Sequence, residues 1–184
     1  MTAQLITFIT SNDNKAREVE AILGMKVEKV DIELPEIQAL DVEDVVIDKA
    51  KGAYEAVKRV LVVEDTGLYI SSLNGFPGAL AKWVLKTLGR ETLCELLSGK
   101  DRSAMAKTCV CLHDGKKFHL FIGSIKGTIA QFPRGNSGFG WDSIFIPEGY
   151  DKTFAELGSV EKNKISMRQI AFRKLHDYLM RGQQ

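Results

Sequence analysis

The chain has 184 residues, 45% of them apolar and 27% charged, with a formal net charge of +1. A chain of this size buries roughly 70% of the surface it exposes when unfolded, so it needs no disulfide or metal staple, and its composition is that of a globular domain rather than a disordered or fibrous one. Lys and Arg alternate with Asp and Glu along its length without the basic stripe that phosphate-backbone binding requires, which argues against a nucleic-acid partner.

Residues 5–10 form a short apolar, β-branched run, after which Ser11 and Asn12 supply capping chemistry for an apolar-periodic helix that ends near Gly24. A second strand is predicted over 26–33, followed by a loop with Pro35 and Glu36. Asp41 is placed to cap a long helix over 42–59, in which Val45, Val46, Ala50, Ala53 and Val57 recur at helical spacing. Residues 61–63 read as a buried strand with Glu64 and Asp65 at its end, and a further apolar stretch covers 68–70. Gly75, Pro77 and Gly78 punctuate the chain before helices over about 79–88 and 90–97. Strands over 104–112 and 117–131 flank Asp114-Gly115, a hairpin signal. A glycine-rich loop over 134–140 leads to a short strand near Ile144, and the last helix is predicted over about 163–180. Helices alternate with strands early and hairpins dominate later, so the expected class is α/β with a mixed sheet.

No apolar run approaches the length of a membrane span, and Met1 to Gln4 lack the regions of a signal peptide. The three cysteines, Cys94, Cys109 and Cys111, are an odd number and fit free thiols in a reducing compartment, so a cytoplasmic protein with no membrane partner is expected.

Four segments carry chemistry. Thr10 to Lys15 lies where a strand hands over to a helix, and helix-start N–H groups with a lysine one turn in can hold phosphate; an ordinary N-cap with a solvated lysine accounts for the same residues. The segment is not a Walker loop, because neither Gly-Lys pair has the upstream glycine and following hydroxyl. Glu64 and Asp65 beyond a buried strand can hold Mg²⁺ and polarise a water, with Glu36 as a further oxygen ligand, or Asp65 can accept backbone N–H bonds in a turn. In Gly138-Phe139-Gly140-Trp141-Asp142 two glycines flank an aromatic, so a ring face can be presented to a purine, with Trp141 and Asp142 as walls; a hairpin loop with core aromatics is the alternative. Lys162 can meet phosphate and Arg168 can donate to a base carbonyl, or both are helix-start charges. Cys109, Cys111, His113 and His119 superficially assemble a zinc set, but alternating cysteines in an apolar strand read better as small core residues.

Taken in order, Ser11-Asn12 with Lys15, Leu34-Pro35-Glu36, Lys49, Val63 to Leu68, Phe139 to Asp142, Glu161 to Lys164 and Ser166-Met167-Arg168 resemble the inosine triphosphate pyrophosphatase family over nearly the whole chain. The resemblance implies an elongated mixed sheet with flanking helices, one two-lobed domain around a nucleotide cleft, and a homodimer. It implies hydrolysis of ITP, dITP and XTP to the monophosphate and pyrophosphate with Mg²⁺, for which Mn²⁺ can substitute. By the same resemblance Ser11, Asn12, Lys15, Lys49 and Lys162 hold the triphosphate, with Thr10 and Thr66 among the substrate-binding residues. Glu36 and Asp65 bind the metal, and Asp65 activates water with Glu64 and Lys49 in support. Phe139 stacks on the purine beside Gly140, Trp141 and Asp142, and Ser166, Met167 and Arg168 meet the base, Arg168 at its 6-keto oxygen. Met167 departs from the histidine that many relatives carry, which leaves base selectivity open. The rival readings are a related pyrophosphatase for modified pyrimidine nucleotides and a nucleotide sensor without turnover.

Overall fold

The computed structural model of the chain describes residues 6–181; Met1 to Gln4 and the expected strand start at Leu5 lie outside the described residues. β1 (Ile6–Ile9) turns through Thr10 to Asn12 into α1 (Asp13–Leu23). Side chains close that turn: Asn12 Oδ1 accepts from the N–H groups of Asn14 (2.9 Å) and Lys15 (3.3 Å), and Thr10 Oγ1 accepts from the Asn12 N–H (3.1 Å). Helix-start donors that would lack partners are thereby satisfied. There follow β2 (Val27–Val30), α2 (Val42–Val57), β3 (Leu61–Ile70), β4 (Pro77–Gly78), α3 (Ala81–Glu95), β5 (Ser103–His113), β6 (Phe118–Ile129), β7 (Phe145–Pro147), α4 (Phe154–Ile165) and α5 (Met167–Arg181).

The seven described strands form one sheet in the order β2-β1-β3-β5-β6-β7, with β4 on β3. β1 runs parallel to β2 and β3, and the remaining pairs are antiparallel, so the sheet is mixed as expected. Side chains alternate across it. Phe8, Val62 and Val110 meet Val19, Phe172 and Leu175 on the face covered by α1 and α5, while Val63, Cys109 and Cys111 meet Val46, Ala50 and Ala53 of α2 on the other. A third core gathers Leu68, Ile70, Ala104 and Ile129 with Leu93, Phe145 and Phe154. Each large apolar side chain sealed in these cores stabilises the fold by roughly 1.5–3 kcal/mol before entropy is counted.

The structure corrects several expected boundaries. No turn follows Val63: β5 pairs with β3 from Leu61↔His113 to Ile70↔Ala104, and this non-local ladder carries Glu64 and Asp65 inside the strand. Gly67 serves close approach rather than a turn, since a Cβ there would lie 2.9 Å from the Gly78 carbonyl carbon on β4. β2 stops at Val30, short of the expected 33. Asp41 bounds α2 without capping it: its carboxylate takes Lys107 Nζ (3.1 Å), and the Tyr69 hydroxyl accepts the Val42 N–H (3.1 Å) instead. The expected final helix is two. α4 begins with a capping box, in which Thr153 Oγ1 accepts from the Glu156 N–H (3.2 Å) and Glu156 Oε2 accepts from the Thr153 N–H (2.8 Å). Ser166, in an extended conformation (φ −69°, ψ 156°), separates it from α5.

Candidate active site

β1 ends at Ile9 beside a β3 that continues to Ile70, so Glu64 and Asp65 lie past the carboxyl end of their parallel neighbour, where the N-terminus of α1 also stands. A crevice outside strand carboxyl ends is the usual ligand position in such sheets. Being adjacent in a strand, the two carboxylates face opposite sides of the sheet and meet different cations. Glu64 accepts from Lys15 Nζ (2.7 Å) and, in a bidentate pair, from Arg168 Nε (2.8 Å) and Nη2 (3.1 Å). Asp65 lies 3.5 Å from Lys49 Nζ, which is also 3.6 Å from Glu36.

The contrast sets their protonation apart. Burial works to raise the Glu64 pKa, but the charges and hydrogen bonds of Arg168 and Lys15 outweigh it and hold the carboxyl at about 2. For Asp65 burial dominates; Lys15 and Lys49 pull the other way, Glu36 and Glu64 add to the rise, and the pKa stands above the ordinary carboxylate value. Glu64 is therefore held as an anion, whereas Asp65 takes up a proton more readily than an ordinary carboxyl, so the two neighbours titrate apart.

On the α1/α5 side the charges continue as a buried chain. Arg168 Nη1 binds Glu18, Arg168 Nη2 reaches Thr66 Oγ1 (3.3 Å), and Lys162 Nζ joins Glu18 (2.7 Å) to Asp142 (2.7 Å). Lys15, Arg168 and Lys162 alternate with Glu64, Glu18 and Asp142, three charges of each sign, so burial is compensated. Asp142 also accepts the Phe139 N–H (2.8 Å), which sets the Phe139 ring 4.6 Å from Lys162 Nζ and 5.6 Å from Arg168 Cζ. A partly exposed aromatic face thus sits over the end of the network.

The structure brings together Lys15, Glu64, Thr66, Phe139, Asp142, Lys162 and Arg168, and separately Glu36, Lys49 and Asp65. Lys162, expected toward phosphate, is buried against Asp142 beneath Phe139 and has no path to an open crevice in this arrangement. Trp141, expected as a pocket wall, lies in the core edge-on to Phe145 (5.4 Å), and Met167 joins the same core. Ser166 Oγ accepts the Gln169 N–H (3.2 Å) and restarts the helix. Ser11 is exposed, and Asn12 is occupied as the α1 cap, so the crevice rim offers Lys15 and hydroxyls more than a bare helix end. Cys111 and His113 share a strand face, while His119, paired with Leu112, points to the other. Sequence reasoning missed Glu18, which bridges Arg168 and Lys162; its spacing of three from Lys15 on one helix face was the available signal.

Whether these residues suit a metal can be judged from Asp65. Its Oδ2 is buried and has no hydrogen-bond partner, while Oδ1 and Glu36 bracket Lys49. Among the described residues no three His, Cys, Asp or Glu side chains form a ready cage. Two carboxylates with an open oxygen suit Mg²⁺, which binds through one or two carboxylates together with substrate phosphates.

A sequence profile of the Ham1 family matches residues 6–178. The chain belongs to the Ham1 family. It is 41% identical to a protein named dITP/XTP pyrophosphatase from Thermococcus kodakarensis over 95% of this chain and 96% of that one. It is 40% identical to the inosine triphosphate pyrophosphatase of Schizosaccharomyces pombe, over 96% of this chain and 95% of its relative. A solved HAM1 protein from Coxiella burnetii superposes with a TM-score of 0.81 at 27% identity, covering 96% of this chain and all of that chain. Against this Ham1 background the alternating-charge network and the orphaned Asp65 oxygen define the candidate site. No described helix is long and apolar enough to cross a membrane.

Proposed function

We propose that this chain hydrolyses non-standard purine nucleoside triphosphates, the class of ITP, dITP and XTP, to the monophosphate and pyrophosphate by attack of water on the α phosphorus. One observation carries the reading: a whole-length match to proteins named dITP/XTP pyrophosphatase falls on a chain in which Asp65, beside Lys49, keeps a buried Oδ2 without a hydrogen-bond partner. Asp65 takes the proton of the attacking water. Lys15 and Lys49, with Thr10, Ser11, Asn12 and Thr66, neutralise and orient the triphosphate. Glu36 and Asp65 would hold Mg²⁺, or Mn²⁺ in its place, which when bound withdraws charge from the phosphates.

Phe139 stacks on the purine. Four of the five guanidinium N–H groups of Arg168 have partners in Glu64, Glu18 and Thr66, and the remaining Nη1 donor, closed off from solvent in this arrangement, reads a 6-keto oxygen once the loop bearing Phe139 admits the base. Adenine offers an amino donor at that place, so two donors would meet unpaired. Glu64 acts by holding Arg168 in position. The same reading includes one two-lobed domain, a homodimer as the family resemblance implies, and a cytoplasmic location consistent with the three buried free thiols. Hydrolysis of ITP in ¹⁸O-water with Mg²⁺ tests it: the label is expected in IMP. Label in pyrophosphate would overturn α attack, and binding without turnover would favour a sensor.

A further inference from the structure

The loop that presents Phe139 has two unlike ends. Gly138 (φ 80°) is packed so tightly that a Cβ would lie 2.3 Å from Asp142 Oδ2, whereas a Cβ on Gly140 (φ 60°) would meet nothing within 4 Å. Toward the core the loop is tied by the Phe139 N–H to Asp142 Oδ2 (2.8 Å) and the Asp142 N–H to the Phe139 carbonyl (3.1 Å). On the open side, Arg90 Nε donates to the Gly140 carbonyl at 2.6 Å.

Arg90 stands 50 residues away in sequence, directly after Gly89. Gly89 has φ 83° and ψ 172°, a conformation essentially reserved for glycine, and it breaks α3 so that Arg90 opens a second helical segment. That segment and the turn after it are anchored by Leu93, Cys94 and Leu97, all at most 1% exposed. The donor therefore rests on a rigid base, while its acceptor belongs to a two-glycine loop with high intrinsic freedom.

We propose that Arg90 is a positioning residue for base recognition: its grip on the Gly140 carbonyl fixes the plane of Phe139 over Lys162 and Arg168. Arg90 acts through the loop and touches neither phosphate nor metal. The inference rests on the nucleotide reading above and names a determinant of its base side. Losing one charge-assisted hydrogen bond of this kind loosens the stacking surface and raises KM for ITP about threefold to tenfold.

The test compares Arg90→Ala and Arg90→Lys with the unaltered protein in three measurements. These are steady-state ITP hydrolysis, inhibition by tripolyphosphate, and amide hydrogen exchange at Phe139 and Asp142 without nucleotide. The loss in Arg90→Ala is expected to fall on KM for ITP more than on kcat. Tripolyphosphate, which has phosphates but no base, should keep its Ki, loop exchange should quicken, and Arg90→Lys should recover part of both effects. Unchanged KM and exchange, or equal rises in KM and Ki, would overturn the inference. If the unaltered protein fails to hydrolyse ITP, the functional reading falls, and quicker loop exchange in Arg90→Ala still supports the clamp.

Discussion

Replacing Glu64 by Gln keeps the shape of a side chain that is 1% exposed and removes its charge. Arg168, equally buried, is then left with Glu18 as its carboxylate partner, and Lys15 loses the carboxylate 2.7 Å away. Breaking a buried pair by neutralising one partner typically costs about 3–5 kcal/mol. Glu18 remains in place and Lys15, 19% exposed, can turn to water, so the lower end applies here. For a domain of this size roughly 3 kcal/mol corresponds to a Tm lower by roughly 6–12 °C. The pH dependence supplies a second signature. The folded pKa of Glu64 is depressed from 4.5 to about 2, so its contribution is complete above 4.5 and is lost as pH falls through 2. Thermal unfolding followed by circular dichroism should therefore show a Tm gap between the two proteins at pH 7 that narrows between pH 4.5 and 2. A gap under about 2 °C at pH 7, or one independent of pH, would refute the reasoning.

Asp65→Asn should behave in the opposite way. With a pKa raised chiefly by burial, its charged form costs stability at neutral pH, so Tm should hold or rise while kcat falls by at least ~10². The acid limb that titration of Asp65 gives the wild-type rate profile should vanish in the variant; near-normal turnover would remove Asp65 from the role of base. Glu36→Gln should raise the half-saturating Mg²⁺ concentration roughly tenfold or more, with the rate recovering at high Mg²⁺. Unchanged metal dependence would exclude Glu36 as a ligand.

The parallel and antiparallel halves of the sheet were legible because strand-helix-strand spacing and the Asp114-Gly115 turn are local signals. The position of Glu64 and Asp65 was not, since the ladder that keeps them in a strand comes from β5, more than 40 residues on. Phe139 between glycines was readable as an exposed ring, but nothing local distinguishes it from Trp141, which packing draws into the core. Lys162 and Arg168 were identifiable as cations near the site. Their partner Glu18 lies 144 and 150 residues away, and only the packing of α1 against α4 and α5 reveals that all three are buried together. Thr153 and Glu156 did spell a capping box, the unread sign of α4.

The most direct measurement is kcat/KM for ITP, dITP, XTP, ATP, GTP and UTP with Mg²⁺, with products identified. ITP and XTP should yield the monophosphate and pyrophosphate with a preference over ATP on the order of 10⁴, as a site built around a required hydrogen bond provides. Equal turnover of ATP, release of orthophosphate, or no turnover of any nucleotide would contradict the assignment.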